Sequence, residues 1–442
     1  MKLEDHRTVR AVRAKGPVPP PSMPLDADWL RSLCREAGAD DVGLVELERP
    51  ALAGELPHVR AALPGARMLV AFVCRMNREP VRSPARSVAN LEFHHAGDRV
   101  NEVARSIVAT LERMGVRALN PSMGFPMEQE RFPGRLWVVQ HKTVAVEAGL
   151  GRMGIHRNLI HPRFGNFVLL GTVAVAAEAS AYDRPLDYNP CLECRLCVAA
   201  CPVGAVHGDG SFDFSACYTH NYREFMGGFT DWVETVADSR SAADYRERVT
   251  PSESASMWQS LSFGANYKAA YCMAVCPAGE EVIAPFLEDS KEHVERVVRP
   301  LQKREEPVYV VPGTDAEDHA RRRYPHKTLR HVKSSLYPTS IRGFFAGLPL
   351  VFQPRRAGDL AARYHFTFTG AEPFEMTVAI AAGELAVERG LAGDADLSVT
   401  ADSRTWLRYL AEKKGIARAL LTRKVRLAGR PGLLVRFGRC FA

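Results

Sequence analysis

The sequence predicts three folded parts in series: an α/β domain over residues 25–185, a cysteine-rich module over 186–295 and an α+β domain over 340–442. Three observations predict it. Unbroken apolar runs alternate with helix-period stretches in the first part. Seven of the ten cysteines crowd into the second. Short strands of alternating polarity, followed by helices, fill the third.

In the first part, Asp26 to Gly38 reads as a capped helix with Trp29, Leu30, Leu33 and Cys34 on one face and Gly38 as the stop. Met68 to Cys74 is apolar throughout, a buried strand. Val100, Val103, Ala104, Ile107, Val108 and Leu111 recur at helical spacing, and Gly115 ends that helix. Leu136 to Val139 and Phe167 to Val175 read as further strands. The segment 1–24 is basic and proline-rich and reads as a disordered lead-in. Residues 296–339 are charge-dense and dotted with proline, which predicts a linker or surface wrap. In the third part, Tyr364–Phe368, Met376–Ile380, Glu384–Val387 and Leu397–Thr400 read as half-buried antiparallel strands. Ser403–Lys413 and Ile416–Leu421 read as helices.

Composition bounds the function. Of 442 residues, 46% are hydrophobic and 25% charged, as in an ordinary globular chain. The net charge of +7 is modest, and the basic residues form no stripe interleaved with aromatics, so charge gives no reason to expect nucleic acid. No apolar run reaches the length of a membrane span. The N-terminus has neither an apolar signal core nor a twin-arginine motif. Cysteines at metal-binding spacing suit a reducing compartment, which makes the cytoplasm the expected location.

Cys191, Cys194, Cys197 and Cys201, followed by Pro202, spell C-x2-C-x2-C-x3-C-P. This is the ferredoxin-type run that holds 4Fe–4S clusters, and in two-cluster proteins its fourth cysteine serves the other cluster. A zinc knuckle would pair C-x2-C units instead. The second Cys-Pro this rule requires is Cys276-Pro277, preceded by Cys272, with Cys217 between the two runs. The rule assigns Cys191, Cys194, Cys197 and Cys276 to one cluster. Cys201, Cys217 and Cys272 go to the second. The fourth ligand of the second cluster is expected three residues before Cys272, where the chain has Ala269. Three readings stay open: a non-cysteine ligand such as His220, an open iron, or loss of that iron.

Gly149-Leu150-Gly151-Arg152-Met153-Gly154 matches G-x-G-x-x-G, but Pro162 cuts off any helix of useful length after it and the first downstream acid, Glu178, lies somewhat beyond the spacing of about 20 residues expected for a ribose contact. A dinucleotide is therefore not expected there. His141, His156 and His161, with Lys142 and Arg157, form a candidate polar pocket wall, and His94, His95 and Asp98, placed before a helix, form another. Tyr218, Tyr222, Tyr267 and Tyr271 flank the cysteines, shielding sulfur or, in one case, donating a proton.

The segment His141–Gly154, the segment Arg163–Thr172 and the double Cys-Pro pattern together resemble the epoxyqueuosine reductase and reductive dehalogenase superfamily over about residues 25–300. The resemblance implies a nitroreductase-like α/β domain that binds cobalamin, beside a ferredoxin-like module of two 4Fe–4S clusters that passes electrons singly to cobalt. His141, Lys142, Gly149, Gly151 and Gly154 are the expected cofactor-binding residues, with flavin as the second candidate cofactor. The chain departs from the family in lacking the Asp-x-x-Pro stretch, whose Asp donates a proton in the epoxyqueuosine enzymes; Leu136-Trp-Val-Val-Gln-His141 stands there. Residues 340–442 resemble the sterol-carrier-protein type of lipid-binding domain, carried by Phe366–Gly370, Met376–Ile380, Gly393–Thr400 and Leu420–Gly429. That resemblance implies an apolar tunnel between sheet and helices.

The expected function is an iron–sulfur oxidoreductase passing single electrons through two clusters to a corrinoid or flavin and reducing an apolar or organic substrate. Its expected reductant is a ferredoxin or flavodoxin. The alternatives are an electron-transfer protein serving a partner enzyme, with the C-terminal domain for lipid binding or docking, and a dehydratase-type role for an open iron.

Overall fold

A computed structural model of the protein describes residues 2–13, 24–131, 134–191, 193–333, 337–412 and 416–441. Among the described residues, six strands lie in the first part: β1 (Asp41–Glu46), β2 (Met68–Arg75), β3 (Ala118–Leu119), β4 (Arg152–Met153), β5 (Leu159–Ile160) and β6 (Val168–Val175). Four form a sheet in the order β1-β2-β6-β3, antiparallel throughout. β2 is apolar along its length because both its faces are covered. Met68, Val70, Phe72 and Cys74 meet the helices Ala27–Glu36 and Arg86–Arg113. Leu69, Ala71 and Val73 meet Val59 and the helix His141–Glu147 on the other side. The result is a three-layer stack of mixed α and β structure. Asp26 caps the first helix, its carboxylate accepting from the Trp29 amide at 2.7 Å.

Several expectations change. The helix read from Val100 begins at Arg86, so His94, His95 and Asp98 lie inside it, not before it. Leu136–Val139 is not a strand. Arg135 gathers the carbonyls of Gly54, Trp137 and Val138 and pairs with Glu55, so a side chain satisfies backbone groups that a ladder would otherwise satisfy. In the lead-in, Leu3–Asp5 and Arg7–Arg13 are helical, and residues 14–23 lie outside the described residues.

The cysteine-rich part consists of short helices, Leu196–Ala200, Phe214–Asn221 and Tyr271–Ala274, on irregular loops. Between Cys217 and Cys272 runs a helical insertion: Met226–Ala237, Ala242–Arg248 and Pro251–Phe263. A reciprocal capping box of Thr250 and Glu253 starts the last of these.

The charged stretch expected as a linker is folded. β7 (Pro307–Val310) and β8 (Thr328–His331) pair in parallel across the helix Asp315–Arg323. Its charges are partly internal: Lys327, 1% exposed, donates to Glu306 at 2.7 Å, and Glu306 accepts from the Tyr271 hydroxyl at 2.7 Å. This network ties the βαβ unit to the second cysteine run.

In the last part, β9 (Ala362–Thr369), β10 (Phe374–Ala381), β11 (Glu384–Arg389), β12 (Leu397–Asp402) and β13 (Val425–Gly429) form a sheet in the order β11-β10-β9-β12-β13, with β9 and β12 parallel. The four strands read from alternation are all present, and the helix Ile416–Leu421 has the expected bounds. Ser403–Glu412 is helical, with Lys413 outside the described residues. Phe344, Trp406 and Phe437, from three helices, pack on Phe366 with ring centroids 5.2–6.2 Å away. No helix among the described residues is long and apolar enough to cross a membrane.

Candidate iron–sulfur site

Two cysteine loops repeat one backbone pattern. Arg195 (φ 53°, ψ 20°) precedes the helix Leu196–Ala200, and Ala270 (φ 53°, ψ 24°) precedes the helix Tyr271–Ala274. Left-handed backbone at a residue with a Cβ is uncommon, so the match fixes the register between the loops. Cys197 corresponds to Cys272 and Cys201 to Cys276. Cys194 corresponds to Ala269.

The electrostatics sort the thiols. Burial first, then Cys194, Cys191 and Cys272, pushes Cys276 up to about 12. Burial first, then Cys272 and Cys201, raises Cys217. Burial and Cys201 push Cys272 up to about 12. Cys197 feels Cys272 as well as Cys276, Cys194 and Cys191, so the two groups adjoin.

Backbone amides point at the sulfurs. Ile155 N–H donates to Cys191 Sγ at 3.4 Å and Ala205 N–H to Cys201 Sγ at 3.2 Å. The amides of Val203, Ala205, Val206 and Gly204 all favour the Cys201 thiolate. Among the described residues no three His, Cys, Asp or Glu converge on a single-ion site. A four-iron cluster takes about one thiolate per iron, so its ligands need not converge on a point. Seven soft donors in two adjoining groups, with amides aimed at sulfur, fit iron–sulfur clusters.

Ala269 supplies no ligand of its own. Ala269 is buried, and its N–H and that of Ala270 donate to Asn221 Oδ1 at 3.0 and 2.8 Å. His220 Nδ1 accepts from Tyr309 N–H at 3.3 Å, and its buried Nε2 has no hydrogen-bond partner among the described residues. Burial lowers this histidine to about 4, and the charged groups that act on it most are Glu306, Lys327, Lys268 and Arg304. None of these is a cysteine.

The expected cofactor-binding residues divide. Both ring nitrogens of His141 are engaged, Nδ1 with Thr172 Oγ1 and Nε2 with Ser122 O, each at 2.8 Å, and burial lowers its pKa. His156 accepts from Asn158 N–H and bonds Asn166; His161 bonds Asp41 and accepts from Arg163 N–H. These rings hold the fold together. A Cβ on Gly149 would lie 2.6 Å from Arg184 O, on Gly151 2.4 Å from Ile160 O, and on Gly154 2.8 Å from His156. The glycines serve close packing by the chain itself.

Lys142 stays available. Its exposed Nζ donates to Arg157 O at 2.6 Å and Asn158 Oδ1 at 2.9 Å. Surrounding protein lowers its pKa, opposed by Cys272 and Cys217. Tyr222 shares those sulfurs: burial, then Tyr267, Cys217 and Cys272, raises its pKa well above the ordinary phenol value. Tyr222 and Tyr267 meet edge to face at 5.5 Å. Tyr218 stacks on Tyr222, while Tyr271 is tied to Glu306. His94 bonds Ala265 O, and His95 and Asp98 are exposed on their helix. Sequence reasoning missed Asn221 and Asn158, the latter with Nδ2 4.0 Å from Cys272 Sγ; amides carry no spacing signal of their own.

No family model matches the chain. Curated relatives are named epoxyqueuosine reductase. That of Cellulophaga algicola is 31% identical over 103 residues, 22% of this chain and 33% of the relative. That of Cyclobacterium marinum is 32% identical over 112 residues, 23% of this chain and 36% of the relative. The chain thus spans about a third of the curated relatives it matches. Among solved structures, an epoxyqueuosine reductase from Streptococcus thermophilus covers 61% of this chain and 74% of its own at 16% identity and TM-score 0.35. A catabolic reductive dehalogenase in complex with 3-bromo-4-hydroxybenzoic acid covers 61% of this chain and 34% of its own at 18% identity and TM-score 0.36. Palmitated SCP2L2 from Aedes aegypti covers 22% of this chain and 91% of its own at 18% identity and TM-score 0.20. The resemblance to the epoxyqueuosine reductases holds in these relatives; that of the C-terminal part is weak.

Proposed function

We propose that this chain is an iron–sulfur reductase that holds two clusters, one on Cys191, Cys194, Cys197 and Cys276 and one on Cys201, Cys217 and Cys272. It delivers single electrons to an acceptor bound at the surface made by Lys142, Tyr222 and Tyr267. The observation that carries this reading is Asn158, which bridges Lys142 Nζ, 2.9 Å from its Oδ1, to Cys272 Sγ, 4.0 Å from its Nδ2. A cation and a phenol beside a reducing centre can neutralise charge and supply a proton as electrons arrive. A ferredoxin or flavodoxin supplies the electrons, and reduction of an organic substrate by two electrons takes two single transfers, with one proton where a halide leaves and two where hydrogen is added or water leaves. Such a reductant places the protein in the cytoplasm.

The acceptor in the wider reading is a corrinoid, with flavin second; either would supply a redox centre that accepts electrons. Four of the five residues expected to hold it are consumed by packing and internal hydrogen bonds. No step is therefore routed through it. The test is anaerobic: reduce the reconstituted protein, remove excess reductant, then follow cluster reoxidation optically on adding cobalamin, flavin or a halogenated phenol. Reoxidation by one of these, slowed at least tenfold by Tyr222→Phe and by Lys142→Met, is the expected result. Reoxidation only by a partner protein would replace this reading with an electron-carrier role.

A further inference from the structure

Two arginines are packed against the second cysteine run. Arg82 ends the helix Arg78–Arg82, and Arg86 begins the helix Arg86–Arg113. The guanidinium of Arg82 lies 5.2 Å from the centre of the Phe167 ring, and its Nε donates to Ala274 O at 3.4 Å. Ala274 stands two residues before Cys276. The guanidinium of Arg86 lies 5.3 Å from the centre of the Tyr271 ring, one residue before Cys272.

Neither cation is neutralised by the chain. Arg86 is 7% exposed, and its Nη1 donates only to carbonyls, Val81 O at 3.3 Å and Ser83 O at 3.1 Å. Its Nε and Nη2 are buried without a partner among the described residues, as is Nη2 of Arg82. The carboxylate beside Arg82 is that of Glu79 at 3.7 Å, which is 84% exposed and so screened by water. Glu306, which accepts from the Tyr271 hydroxyl, is already paired with both Arg304 and Lys327. A buried cation without an anion is costly, and a guanidinium does not shed its proton to escape that cost. Burial lowers the pKa of Arg82, opposed by Glu79 and by Cys276.

An iron–sulfur cluster on four thiolates carries net negative charge, which grows when it is reduced. We propose that Arg82 and Arg86 are the buried counter-charge of the cluster that Cys276 helps to hold, and that they raise its reduction potential. This rests on the two-cluster reading above. Positive charge in a poorly solvated setting favours the reduced, more negative cluster, and net charge is one of the terms that set cluster potentials. Arg82 and Arg86 act here through the field and through Ala274 O; they are tuning residues and ligate no iron.

The test is a redox titration of the reconstituted full chain, with both clusters followed by EPR. Arg82→Met should lower the first cluster's equilibrium constant for reduction at least tenfold, about 59 mV for one electron. The second cluster should move less. Arg86→Met should shift the first cluster in the same direction, and Arg82→Lys, which keeps the charge, should shift it far less. Glu79→Gln changes an exposed side chain and spares the fold; it should raise the first cluster's constant about twofold, since the lost charge is screened. Equal shifts in Arg82→Met and Arg82→Lys would trace the effect to packing and overturn the inference. So would an unmoved potential in Arg82→Met or, should that variant take up no iron, in Glu79→Gln. Absence of both cluster signals in the unaltered chain would overturn the two-cluster reading itself, and the inference with it.

Discussion

Gly149 shows how a motif can be real and yet mean something else. Its φ of +73° and the approach of Arg184 O leave no room for a Cβ, so it ends the helix His141–Glu147 against the loop that carries Arg184. Gly149→Ala should therefore lower stability by about 1–3 kcal/mol in denaturant unfolding. A glycine lining a cofactor would leave stability unchanged and weaken binding instead. The cysteines were legible because thiolate spacing is dictated by a cluster's size, and the Ala269 gap was legible for the same reason. The fate of His141 was not, because pairing with Thr172 and Ser122 is tertiary and leaves no local trace.

Among the elements, those with a single periodicity were legible and those held by side chains were not. Met68–Arg75 and Val168–Val175 announce themselves by apolar runs. β1 does not, since Asp41-Val-Gly-Leu-Val-Glu46 is short and broken by Gly43, which is needed where Ala148 O would meet a Cβ at 2.0 Å. The βαβ unit of β7 and β8 hid behind its charges, because composition cannot reveal that Glu306 and Lys327 are buried partners. Two helices carry a pH dependence. Burial lowers His220, on Phe214–Asn221, and His319, on Asp315–Arg323, to about 4 from the ordinary 6.5. The unfolded chain then binds more protons between about 6.5 and 4, so stability must fall as pH falls through that window. Thermal unfolding at stepped pH should show a falling midpoint there, with a shallower slope in His319→Phe. A flat profile would mean these rings are hydrated.

At the scale of the molecule, the C-terminal domain bears on whether an apolar substrate is carried within the chain. The space between its sheet and helices is occupied by its own rings: Phe344, Phe366, Phe368 and Trp406 lie 5.6–6.2 Å from one another. Trp406 is 1% exposed. A delipidated sample should accordingly show no saturable binding of a fluorescent fatty acid. Trp406→Ala should cost about 3–5 kcal/mol in that domain and leave cluster spectra unaltered. Saturable binding by the unaltered chain would show that the rings yield to a ligand.

The whole account depends on Cys201 belonging to the cluster of Cys217 and Cys272, although it sits in the run of Cys191, Cys194 and Cys197. The most direct measurement is EPR of the reduced Cys201→Ala and Cys276→Ala proteins. The account predicts that Cys201→Ala removes the second cluster's signal and spares the first, and that Cys276→Ala does the reverse. Loss of the first cluster in Cys201→Ala would contradict it.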